Sequence, residues 1–213
     1  MAEIIPAIIG QNFSEIKEKI NQIEGLVNWV QIDIAAGLFA PAYTWENSED
    51  LFQLSGKVKV EVHLMVEQPE HYVVDWLKVA DRVIIHLEST YQLPIILKQF
   101  DPVAGGLPVK AGLALLLETP LEKLKEFQHQ VDLIQLMSIE KIGRHGEVFD
   151  ERTPARVKAL RAMWPDVTIS VDGGINLENG KRLVAVGANN LVVGSEIWNS
   201  RNVPVVIQEF QKL

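Results

Sequence analysis

Residues 28–37 read NWVQIDIAAG, an apolar run that carries an amide and a carboxylate before breaking into small residues. Val30, Ile32 and Ile34 alternate with Gln31 and Asp33, so a period of two sends both polar side chains to one face of a strand. A solvated face would be polar throughout. Here the flanking residues are apolar, which predicts a strand buried on both sides, as in a parallel sheet. Seven further runs resemble it: IIPAII (4–9), KVEVHLM (59–65), RVIIHLE (82–88), AGLALLL (111–117), LIQLMS (133–138), TISVDGG (168–174) and NLVVGS (190–195).

Amphipathic segments separate these runs. Phe13, Ile16, Ile20 and Ile23 recur at helical spacing, as do Val73, Leu77 and Ala80, and Val157, Leu160 and Met163. Thr119-Pro120 and Thr153-Pro154 read as helix starts, with the threonines as N-caps and Glu122 at the capping-box position. Gly187 reads as a helix stop before the last strand. Eight strand and helix units with no linker or low-complexity stretch predict a single closed (β/α)₈ TIM barrel over residues 1–213. A doubly wound open sheet is the alternative.

Composition narrows the function. A hydrophobic share of 47% and a mean hydropathy of +0.09 describe a filled soluble core, not a disordered chain. No apolar run reaches the roughly 20 residues that span a bilayer, and the first residues lack a basic leader and cleavage site, so the expected compartment is cytoplasmic, with no membrane partner. The formal charge of −8, without a lysine or arginine block, argues against a nucleic-acid partner. The absence of cysteine leaves only histidine, carboxylate and amide side chains as metal ligands.

In such a barrel, chemistry gathers at the carboxyl ends of the strands. Those ends offer Gln31 and Asp33, His63 and Met65, His86 and Glu88, Met137 and Ser138, Asp172, and Gly194 with Ser195. VDGGIN (171–176) and VVGS (192–195) place Gly173, Gly174, Gly194 and Ser195 after the last two strands, where backbone N–H groups receive phosphate. Asp33 and Asp172 come from strands two and seven. Two carboxylates facing each other across a bound sugar can take a proton from one face of a carbon and return one to the other. His63 between them can join both in holding a divalent cation. His86 and Glu88 either line this pocket or bond to each other at its rim. His145 follows strand six closely enough to reach a ligand, and Arg144 beside it can clamp an anion bidentately, although a solvated surface arginine is the more common case.

These residues resemble the ribulose-phosphate 3-epimerase family, from IIPAIIGQNF to VVGSEIW. The likeness is anchored in VEVHLMVEQPEHYV (60–73), LMS (136–138), SVDGGIN (170–176) and VVGS. The resemblance implies a TIM barrel that interconverts D-ribulose 5-phosphate and D-xylulose 5-phosphate through an enediolate. It implies Asp33 and Asp172 as acid and base and Met65 and Met137 in the pocket wall. It also implies Zn, Mn or Fe on Asp33, Asp172, His63 and a second histidine, in an enzyme that is a homo-oligomer. Gln31 stands where that second histidine belongs. Ala35 replaces a pocket methionine, Ala7 a serine that contacts substrate, and EKIGRHGEV (140–148) a glycine-rich lid. VEVHLMVEQ lacks the Asp-x-Lys-x-x-Asp pattern of the related decarboxylases and hexulose-phosphate synthases. Three expectations follow: an epimerase of a small phosphorylated sugar, another sugar-phosphate enzyme on the same barrel, or a noncatalytic phosphosugar-binding protein.

Overall fold

A computed structural model describes residues 2–144 and 146–213. Strands β1 (Glu3–Ile8), β2 (Trp29–Ala36), β3 (Lys59–Val66), β4 (Arg82–His86), β5 (Lys110–Leu115), β6 (Leu133–Met137), β7 (Thr168–Asp172) and β8 (Asn190–Val193) pair in sequence order. All pairs are parallel, and β8 returns to β1 to close a barrel. Closure rules out the open sheet. Each expected run holds a strand, with its ends displaced by at most two residues.

The period-two reading explains why the strands are buried on both faces. Val30, Ile32 and Ile34 of β2 point outward and join Ile16, Ile20 and Ile23 of α1 (Phe13–Ile23) in the main core. Asn12 caps α1 by accepting a hydrogen bond from the Glu15 N–H at 3.0 Å. Inward residues form smaller apolar groups: Ile5, Ala7 and Val192 in one, Ile84, Ala114 and Leu133 in another. Polar inward residues fill the rest of the interior. On β3 and β4, Glu61 and Arg82 pair within the barrel at 2.5 Å, both buried.

At the amino end of the strands a side-chain clamp recurs. The residue before β4, Asp81, accepts the Val60 N–H of β3 at 2.9 Å. Asp132 before β6 does the same for Ala111 of β5 at 2.8 Å, and Asn189 before β8 for Ile169 of β7 at 2.9 Å. In each case the clamp residue's own N–H returns a bond to the same partner's carbonyl. Asn28, before β2, instead donates to the Glu3 carboxylate of β1 at 3.1 Å.

The outer layer is less regular than the helical patterns suggest. Val73, Leu77 and Ala80 are buried as expected, but only α2 (Val73–Trp76) is α-helical there. Short α3 (Leu93–Leu97) follows β4, and α4 (Thr153–Met163) buries Val157 and Leu160. Then come α5 (Leu177–Ala185), α6 (Ser195–Trp198) and α7 (Val203–Phe210). Both expected threonine caps fail. Leu121–Phe127 is a run of 3₁₀ turns preceded by Pro120, and the Thr119 hydroxyl is drawn away to bond Glu88. Thr153 is already inside α4, because Asp150 makes the turn that starts it by accepting the Arg152 N–H at 2.8 Å. Gly187 does end its helix, at φ +111° after α5.

Candidate active site

The inward alternation of β2 puts Gln31 below Asp33, and the register of the sheet sets Asp33 beside His63 on β3. Asp172 ends β7 beside Met137 of β6. Asp33, His63 and Asp172 are buried, and each offers a donor atom within 4.8 Å of the others, a group able to hold a metal ion. The Nδ1 of His63 stands 3.2 Å from Asp33 Oδ1 and 3.4 Å from Asp172 Oδ2. Burial alone would disfavour a charged imidazole, but the hydrogen bonds and charges of Asp172 and Asp33 outweigh it and push His63 up to about 9.

Behind His63 a second ring completes a chain. His63 Nε2 lies 2.9 Å from His86 Nε2, and His86 Nδ1 is 3.4 Å from Glu88 Oε2. Burial, helped by the nearby His63 charge, lowers His86 to about 4 against the pull of Glu88. Neutral His86 therefore accepts the His63 Nε2–H and donates its own Nδ1–H to Glu88. Glu88 is fixed in turn by the Leu116 N–H at 2.9 Å and by the Thr119 hydroxyl. The two alternatives for His86 and Glu88 are thereby decided: they bond to each other and do not line the cleft.

Above this buried group opens a cleft of about 460 Å³, counted out to its mouth. Its walls include Asp33, Asp172, Met65, Met137, Gly173, Gly174, Gly194, Ser195 and Ala7, so the expected carboxylates, methionines and glycine turns meet in one place. His63 and Gln31 lie beneath the floor, each fully buried. Met65 and Met137 pack with Ala35, Ala40, Ile139 and Ile142 into an apolar wall.

Two of the turn residues must be glycine. At Gly173, φ is +118° and an added Cβ would fall 2.6 Å from the Ile139 side chain. At Gly174, φ is +62° and a Cβ would meet the Phe149 backbone nitrogen at 2.8 Å. A capping box tightens the same turn: Asn176 and Asn179 exchange backbone-to-side-chain bonds at 3.0 and 2.8 Å, and the Asn179 amide holds the Gly174 carbonyl at 2.9 Å. Arg144 reaches the cleft and pairs with Glu147 at 2.6 Å, while His145 lies outside the described residues.

One residue at the centre escaped the sequence reading. Gln135 of β6 is fully buried and donates to Asp172 Oδ2 at 3.0 Å, with its Nε2 3.3 Å from His63 Nδ1. Gln31 donates to Asp33 Oδ1 at 2.8 Å and Asp172 Oδ2 at 2.9 Å, with its Nε2 3.4 Å from His63 Nδ1. The Oε1 atoms of both amides are buried without a hydrogen-bond partner. Gln135 is an amide inside an apolar strand, the same signal that marked Gln31.

Fold and site together define a TIM barrel with a carboxylate–imidazole centre under its mouth and glycine turns beside it. Residues 3–198 match the ribulose-phosphate 3-epimerase family, and the chain belongs to that family. It is 32% identical to the ribulose-phosphate 3-epimerase of Synechocystis sp., over 93% of this chain and 88% of that protein. It is 30% identical to the chloroplastic ribulose-5-phosphate-3-epimerase of Arabidopsis thaliana, over 96% of this chain and 74% of that protein. Among solved structures, a 3-hexulose-6-phosphate synthase superposes with a TM-score of 0.74 at 15% identity, covering 99% of this chain and 98% of its own, which supports the shared fold. Among the described residues, no helix is long and apolar enough to cross a membrane.

Proposed function

We propose that this protein is an isomerase that epimerises C3 of a ketopentose phosphate, interconverting D-ribulose 5-phosphate and D-xylulose 5-phosphate. The observation that carries the reading is that Asp33 and Asp172, from strands two and seven, both open on one cleft that also holds the glycine turns. The turns at Gly173, Gly174, Gly194 and Ser195 bind the phosphate through backbone N–H groups. The apolar wall of Met65 and Met137 excludes water around the sugar carbons. One aspartate, as carboxylate, takes the C3 proton and leaves an enediolate. The other, carrying a proton, returns one to the opposite face, and the pair ends with its roles exchanged. His63 holds both carboxylates from below, at 3.2 and 3.4 Å, and His86 and Glu88 fix the orientation of its ring.

The residues fit a divalent cation such as Zn²⁺, Mn²⁺ or Fe²⁺. Asp33, His63 and Asp172 would hold it, and Gln31 would add Oε1, a buried oxygen without a partner. When bound, the ion supplies positive charge that favours the enediolate. The exposed apolar side chains of Val74 and Leu107, which border one shallow depression, offer a contact for a homo-oligomer.

Proton NMR in D₂O tests the reaction. The protein incubated with D-ribulose 5-phosphate should yield D-xylulose 5-phosphate with deuterium at C3. Absence of exchange with and without added Mn²⁺ or Zn²⁺ would remove the epimerase reading. A second reading, another ketose phosphate as substrate, is favoured by the Arg144–Glu147 pair in the cleft. Exchange at C3 of a different ketose phosphate, with none on these two, would support it.

A further inference from the structure

The two glutamines pose a question that the aspartates and His63 do not answer. Each presents its NH₂ group to the carboxylates, and each leaves a carbonyl oxygen in the barrel interior with nothing to bond. An unmade hydrogen bond at a buried polar atom costs stability. Leucine would fill position 135 without that cost, as it does at the inward Leu133 two residues earlier on the strand. Half-turn rotation of either amide exchanges Oε1 and Nε2 with no change of shape. It would set Oε1 where Nε2 now stands, against Asp172 Oδ2 and His63 Nδ1, and for Gln31 also Asp33 Oδ1. Carbonyl oxygens pressed against carboxylates repel each other unless a cation lies among them.

We propose that Gln135 is a cation ligand that acts with Gln31, and that this amide pair makes the site prefer Mn²⁺ or Mg²⁺ over Zn²⁺. The inference rests on the divalent-ion reading given above. Two carboxylates, two amide oxygens and one imidazole make an oxygen-rich set of five ligands. Zn²⁺ favours four ligands with nitrogen or sulfur well represented, whereas carboxylate and carbonyl oxygens suit Mg²⁺ and Mn²⁺ in octahedral sites. Gln135 serves both states: without the ion its NH₂ steadies Asp172, and with the ion its oxygen faces the metal.

The test is metal binding by the whole, chelator-stripped protein, measured apart from turnover. Mn²⁺ affinity is read by electron paramagnetic resonance titration, and Mn²⁺ against Zn²⁺ by equilibrium dialysis with elemental analysis. Gln135→Leu should weaken Mn²⁺ binding by about 10- to 100-fold, the usual effect of disturbing a metal site, and Zn²⁺ binding by much less. Gln135→Glu, which keeps an oxygen at the same place, should hold or raise Mn²⁺ affinity, separating ligation from a folding defect. Gln31→His with Gln135→Leu should shift the dialysis ratio toward Zn²⁺. Unchanged Mn²⁺ affinity in Gln135→Leu, or equal losses in the Leu and Glu variants, would overturn the proposal. So would a wild-type protein that takes up no divalent ion. In that last case, C3 exchange persisting in chelator would leave the epimerase reading standing on amide and imidazole donors alone.

Discussion

Asp33 lies within β2 and Asp172 ends β7, strands that carry no other charged residue, and both touch the same amide, that of Gln31. Replacing either with asparagine preserves shape and removes the carboxylate proposed above to exchange a proton. Asp33→Asn and Asp172→Asn are each expected to lower turnover by at least about 100-fold while a phosphate-bearing ligand still binds. Steady-state kinetics and calorimetry with a ketose phosphate check the two halves of that statement. Unchanged turnover in both variants would end the paired-acid mechanism. These aspartates were legible because polar residues at the tips of apolar strands stand out. Gln135 and Glu61 were not, since each lies inside its run with no glycine or turn beside it, and Arg82 opens its run at the end away from the cleft. Period-two alternation applied to every strand, and not only to strand tips, would have found Gln135 from the spacing to Met137.

The segment between β6 and α4 is the element that most separates this chain from the pattern it resembles. It enters the cleft with Gly143, Arg144, Gly146 and Glu147, and the turn at Gly174 packs on its backbone at Glu147 and Phe149. Arg144 is more than half exposed and is held by Glu147, so its guanidinium is free to exchange that carboxylate for a substrate phosphate. Arg144→Ala should therefore raise KM about tenfold and leave kcat within about twofold, the mark of a contact made equally in ground and transition states. An unchanged KM would show that Arg144 serves only Glu147. Elements as such were well marked in the sequence where one face is apolar, as in α1. They were poorly marked in Leu121–Phe127, where 3₁₀ turns bury Leu124 and Phe127 with the same three-residue step a helix would use. Competition for the Thr119 hydroxyl is a tertiary effect that no local pattern carries.

Inside the barrel, buried charged groups meet partners both near the bottom and at the top. Near the amino end Glu61 meets Arg82 within the interior, and at the carboxyl end the aspartates meet His63. Removing one partner of a buried ion pair leaves an uncompensated charge, at about 3–5 kcal/mol. Arg82→Met should lower stability by that order in chemical denaturation, and the double variant with Glu61→Leu should recover much of it. A single variant as stable as the parent would mean that the pair is not closed in solution. The closed sheet itself was readable from eight doubly buried runs with short intervals. The fit of charges inside it was not, because it depends on which residues the closure sets side by side.

The clamps at the amino end of the strands join β3 to β4, β5 to β6, and β7 to β8, and Asn28 ties β2 to Glu3 of β1. Between β4 and β5 the corresponding link is a backbone bond from Lys110 to Asp81 at 3.1 Å. A break in the chain after exposed Gly105 therefore leaves each of these clamps inside one fragment, whereas a break after Gln128 parts Asp132 from Ala111. Fragments 1–105 and 106–213, expressed together, should reassemble into a working particle more readily than the pair divided at 128, as read by co-purification and recovered turnover. Equal recovery would show that the clamps do not define separable pieces. Asp33 and His63 belong to the first fragment and Gln135 and Asp172 to the second, so recovered activity would report that the two pieces had docked in register.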